Sequence, residues 1–148
     1  MSTTRKKTWT WNLPPTACRL LLPLLLLLLT QCAGGYDKQT QLRNAIDEFH
    51  DGFRWGAMGS MISHVRAEDQ DAFAADYETR MEGVSIADYE VDRIQFAEDG
   101  ESADVWVRIS WYRANEVDVH DAQICEHWVN GRTTWNRTEV TVEHGEMP

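Results

Sequence analysis

The residue pair with the clearest capacity for chemistry is Cys125-x-His127. Positions two apart on a β-strand share a face about 6.6 Å apart along the chain, so thiolate and imidazole suit one soft metal ion if neighbouring elements supply two more ligands. His120, seven positions from His127, falls on the opposite face and does not complete the set. With two ligands only, the pair reads as a half-buried thiol beside a rim histidine, and neither a metal nor another cofactor is expected.

Apolar periodicity places these residues. Leu42, Ile46, Phe49, Phe53, Ala57 and Met61 recur at steps of three and four, which predicts a helix over about 40–63, bent or closely approached where Gly52, Gly56 and Gly59 fall. The acidic run Glu68-Asp69-Gln70-Asp71 suits the positive end of a second helix that carries Phe73, Tyr77 and Met81 and stops at Gly83. Beyond Gly83 the period becomes two. Tyr89 and Val91, then Ile94 and Phe96, alternate with a slip at Asp92-Arg93 that predicts a bulge. After a turn at 98–101, Val105, Val107, Ile109 and Trp111 share one strand face, with Trp106, Arg108, Ser110 and Tyr112 on the other. A third strand over 117–129 and a fourth over 132–143 are expected to flank a type I′ turn at Asn130-Gly131. Two helices before a four-stranded antiparallel meander make an α+β domain, its curved sheet wrapped on the N-terminal helices.

Both faces of the second strand carry more apolar area than a solvated face needs, so Trp106 and Tyr112, with Trp128 on the next strand, are candidate interface residues for a homodimer or another protein. The competing reading packs these rings under neighbouring arginine stems. Composition is that of a folded chain: 43% hydrophobic with seven Trp among 148 residues excludes intrinsic disorder. Four of the 14 basic residues (Arg5, Lys6, Lys7, Arg19) and none of the 24 acidic ones lie in the first 31 positions, so the remainder carries 10 against 24, a formal −14. Such a surface repels phosphate backbones, and nucleic acid is not an expected partner.

The first 31 residues run from that basic stretch into Leu20–Leu29, interrupted by Pro23. Ten helical residues rise about 15 Å, half of a hydrocarbon core of roughly 30 Å, so an export signal is expected rather than a spanning anchor. Leu29-Thr30-Gln31-Cys32 resembles the lipobox of bacterial lipoproteins, departing from it at Gln31, where Gly, Ala or Ser is usual. The resemblance implies diacylglyceryl and palmitate-type acyl chains on Cys32, cleavage before it, and, with Ala33 next, outer-membrane sorting facing the periplasm. A cut by signal peptidase I near Ala33 or Gly34 is the alternative. Residues 32–39 then read as a tether and 40–148 as a single domain. Cys18 leaves with the leader and Cys32 carries lipid, so Cys125 has no partner for a disulfide within the mature chain. The glycosylation-like Asn136-Arg137-Thr138 is expected to go unused in such a chain.

The hairpin from Trp128 through Asn130-Gly131 to Trp135 resembles the penultimate hairpin of the nuclear transport factor 2-like superfamily, a likeness covering about residues 40–143. It implies a cone-shaped domain. That superfamily hosts isomerases, dehydratases, adaptors and binding modules, so fold alone does not choose among them. In its steroid isomerase-like branch an Asp or His inside the cone moves a proton beside a carbonyl, which makes His50 and Asp121 the candidate pocket residues here. Phe53-Arg54-Trp55-Gly56, with 86–91 and 110–113, is similar to a group of small bacterial lipoproteins, and no activity comes with that likeness. The expectation is an envelope lipoprotein acting as a ligand-binding or assembly module, with an enzyme of small apolar carbonyl compounds as the alternative.

Overall fold

Leu42, Ala45, Ile46, Phe49 and His50 are buried while Gln41, Arg43, Asn44, Asp47 and Glu48 face water, the stripe pattern of a helix lying on a core. The structure, a computed structural model, describes residues 33–148. The lipidation reading at Cys32 and the leader lie outside them. This helix, α1, spans Ala33–Trp55 and so begins inside the stretch read as a tether. Apolar periodicity misses its first turns because polar contacts hold them: Gln41 Nε2 donates to Asp37 Oδ2 at 2.6 Å, and Lys38 pairs with Glu101 in the turn at 98–101.

Gly56, at φ +69°, ends α1 in a left-handed conformation that disfavours other residues, so the helix expected to reach 63 breaks in two. The second piece, α2 (Met58–Ile62), folds back against α1. Gly52 permits this approach: a Cβ there would lie 3.0 Å from both Met61 Cγ and Ser60 Cβ. A 3₁₀ turn (Ala67–Asp69) leads into α3 (Gln70–Arg80), in which no residue is fully buried and only Phe73 and Tyr77 lean on the core.

Strands β1 (Val84–Phe96), β2 (Ser102–Arg113), β3 (His120–Asn130) and β4 (Trp135–Gly145) form one antiparallel sheet in the order β1-β2-β3-β4. The bulge expected at Asp92 is present, between Val91 and Arg93, and a second lies between Ile86 and Asp88. Each bulge adds twist and bends the sheet. The third strand starts at His120 rather than 117: the β2–β3 ladder stops at the Trp111–His120 pair, and Val117 and Val119 beyond it are exposed.

The β3–β4 turn corrects the type I′ expectation. Asn130 pairs with Trp135 across a four-residue loop, and neither Asn130 nor Gly131 has the positive φ that a type I′ turn needs. Gly131 serves close approach instead: its added Cβ would meet Asn136 Nδ2 at 2.5 Å and the Thr134 carbonyl at 2.7 Å.

One sheet face carries the core. Val105, Val107, Ile109 and Trp111 of β2 meet Leu42, Ile46 and Phe49 of α1, with Ile124, Trp128 and Trp135 alongside. Trp128 is therefore a core residue with no exposed surface, and its assignment to an interface is wrong. It alternates in phase with Ala122, Ile124 and Glu126, all inward, and thus opposite in sense to the outward Trp106.

Candidate ligand site

The inward face of β3 contains one charged residue. Glu126 stands between Ile124 and Trp128 in the alternation and is completely buried. A carboxylate in such a place costs several kcal/mol unless donors surround it. Three do. His50 Nε2 donates to Oε2 at 3.1 Å, Trp128 Nε1 to the same oxygen at 3.0 Å, and Arg137 Nη1 to Oε1 at 2.9 Å. Burial acts to raise the Glu126 pKa, but the charges and hydrogen bonds of His50 and Arg137 outweigh it and bring it down to about 2.

Each partner is delivered by a different element. His50 lies one turn beyond Ile46 on the buried stripe of α1, stacked on Tyr89 of β1 at 5.1 Å and edge-on to Phe49. Arg137 of β4 sits opposite Trp128 in register, and its guanidinium carbon is 4.3 Å from the centre of the Phe49 ring. Tyr89 in turn donates to Asp51 at 3.1 Å, and burial, ahead of that hydrogen bond and the nearby carboxylates, pushes its pKa up to about 12.

With Nε2 given to Glu126, His50 Nδ1 is buried and has no partner; Trp135 Nε1 is the other such side-chain atom among the described residues. A buried polar atom without a hydrogen bond costs about 1–3 kcal/mol. His50 also lines a cavity of about 200 Å³ between the helices and the sheet. Phe53, Phe73, Ile109, Val142 and Met147 supply apolar wall, and Tyr77, Arg80 and Arg137 join His50 as its polar members. Two larger hollows, of about 440 and 420 Å³, are more open surface grooves that do not include His50.

The solved structures most informative for this arrangement are a ketosteroid isomerase-like protein from Erwinia carotovora atroseptica and a SEC-C motif containing protein from Rhodopseudomonas palustris. The first is 14% identical, has a TM-score of 0.61, and is matched over 74% of this chain and 96% of its own. The fold is nuclear transport factor 2-like. The second is also 14% identical, with a TM-score of 0.53 over 62% of this chain and 70% of its own. The intermembrane space region of the chloroplast protein ARC6 is similar too, at 13% identity and a TM-score of 0.50, over 67% of this chain and 91% of that one. No protein-family model matches the sequence, and no curated protein matches it.

Within this nuclear transport factor 2-like domain the sequence candidates separate. His50 is at the cavity. Asp121 is not: odd-numbered positions of β3 point outward, and Asp121 is an exposed acceptor for the hydroxyl of Ser110, its register partner. Glu126 and Arg137 were missed, although the Ile124-Cys125-Glu126-His127-Trp128 alternation already puts Glu126 on one face with Ile124 and Trp128.

On the outer face, Trp106 is half-buried beneath Arg93, whose guanidinium carbon is 3.6 Å from the ring centre, and its Nε1 donates to Glu143 at 2.9 Å. Tyr112 is 40% exposed. Cys125 and His127 share that face, but His127 Nδ1 is held by Asp104 at 2.7 Å. Burial, then the carboxylates of Asp104, Glu143 and Glu126, raise the Cys125 thiol pKa, which disfavours the thiolate a metal needs. Among the described residues no three His, Cys, Asp or Glu side chains are grouped to hold a metal, and no helix is long and apolar enough to cross a membrane.

Proposed function

We propose that this chain is an envelope lipoprotein, anchored through Cys32 to the outer membrane on the periplasmic side, whose domain binds a small and mainly apolar molecule in the cavity beside His50. The cavity carries this reading: its wall is mainly apolar, and beside it stands His50, a polar side chain whose Nδ1 has no protein partner. The fold is in keeping with ligand binding or isomerase-like chemistry. The test is NMR of the labelled chain against a panel of small apolar fragments. Saturable shifts at His50, Phe73 and Val142, lost in His50→Phe, are expected. A panel that perturbs only surface residues overturns the reading.

One observation favours a second reading, an isomerase- or dehydratase-like enzyme. The Glu126 carboxylate orients the ring so that, in the neutral imidazole, Nδ1 is the atom with the lone pair, and a carboxylate-oriented imidazole is a general base. Turnover of a bound carbonyl compound that disappears in His50→Gln while binding persists would favour it over a binding module. Association with a twin or another envelope protein is proposed for the outer face, around Trp106 and Tyr112.

A further inference from the structure

Although the chain carries 24 acidic against 14 basic residues, no Asp or Glu lines the cavity, whereas Arg80, Arg137 and His50 do. We propose that the ligand is an apolar monocarboxylate, its carboxylate read by Arg137 and Arg80 and its tail laid against Val140 and Val142. This inference rests on the ligand-binding reading above and specifies its chemistry.

Arg137 has five N–H donors, and its hydrogen bond to Glu126 uses Nη1, so a planar fork remains to meet a carboxylate from the cavity side. Its side chain is only 16% exposed, which strengthens such a contact relative to one in water. Arg80 is the more exposed of the two, held by Asp76 one turn back on α3. Both guanidinium groups already have one carboxylate partner, so the site offers surplus donors rather than two unbalanced charges. That suits a singly charged anion.

β4 supplies the surface for the tail. Val140 and Val142 lie opposite Glu126 and Ile124 in register, on the core-facing side of the sheet, yet they are 38% and 46% exposed. α3, which fully buries none of its own residues, does not seal them from water. A volume of 200 Å³ equals the share of six or seven waters at roughly 30 Å³ each, enough for a short alkyl chain or a single ring.

Titration calorimetry of the full chain in nanodiscs, against empty nanodiscs, with hexanoate, 1-hexanol, hexylamine and hexyl phosphate tests this. Hexanoate should bind one-to-one and at least tenfold more tightly than each of the others. Arg80→Gln, an exposed substitution that leaves the buried cluster intact, should weaken hexanoate severalfold and leave hexanol unchanged. Arg137→Lys, which keeps a cation for Glu126 but removes the fork, should weaken it about tenfold. Hexanol or hexylamine equalling hexanoate, or hexyl phosphate exceeding it, overturns the carboxylate assignment while the cavity still binds ligand. Failure of all four probes at millimolar concentration, with no shift at His50, overturns both the assignment and the binding reading.

Discussion

His50 Nε2 and Glu126 Oε2 meet at 3.1 Å in a place where both side chains are essentially sealed from water. The contact joins α1 to β3, and Arg137 of β4 closes it from the other carboxylate oxygen. A buried ion pair of this kind contributes less net stability than its Coulomb attraction suggests, but removing one member strands the others.

Glu126→Gln should therefore destabilise the domain by about 3–5 kcal/mol, since a neutral amide cannot accept from His50, Trp128 and Arg137 together. Denaturant unfolding checks this. A loss below about 1 kcal/mol would show that the cluster relaxes without cost.

The same carboxylate gives a pH dependence of definite sign. Its pKa falls from the ordinary 4.5 to about 2 on folding, so the unfolded chain binds more protons there. The associated stability is complete above pH 4.5 and is lost as the pH falls toward 2. Unfolding curves across that window should lose this part of their slope in Glu126→Gln; an unchanged slope contradicts the assignment.

Phe49 is 1% exposed, edge-on to Trp128 at 5.9 Å and covered by Arg137. Phe49→Ala should cost about 3–5 kcal/mol through the cavity it leaves. Reduction should leave the melting temperature unaltered, because Cys125 is a free thiol. A reduction-sensitive melt would reveal a disulfide.

For the outer face, self-association measured by sedimentation should strengthen with salt, which screens repulsion between acidic copies and leaves the apolar contact intact. Trp106→Glu should abolish it, having removed the ring beneath Arg93 and placed a carboxylate beside Glu143. A monomer at every salt concentration, in both proteins, would reduce Trp106 to local packing.

Cys32→Ser should move the protein from the membrane fraction to the soluble periplasm or leave it unprocessed, since stable anchoring needs acyl chains. Full processing with unchanged detergent partitioning would rule out the lipid.

Periodicity made much of the fold legible. The step-of-three-and-four stripe from Leu42 to Phe49 and the alternations of β2 and β3 depend on local geometry, which a single segment expresses without knowing its neighbours. So does the slip at Asp92. The polar first turns of α1 and the handedness of the 131–134 loop escaped, because contacts with Lys38 and Asn136 decide them rather than apolar pattern or dipeptide preference. The site escaped more completely. Its central hydrogen bond joins residues 76 positions apart, and alternation can assign Glu126 and Trp128 to one face without saying whether that face meets water, a partner or α1. That choice was made by the packing of helix on sheet: once α1 covers the inner face, Trp128 becomes core, Asp121 is turned outward, and a buried Glu126 must draw His50 and Arg137 to it because no water remains to solvate its charge.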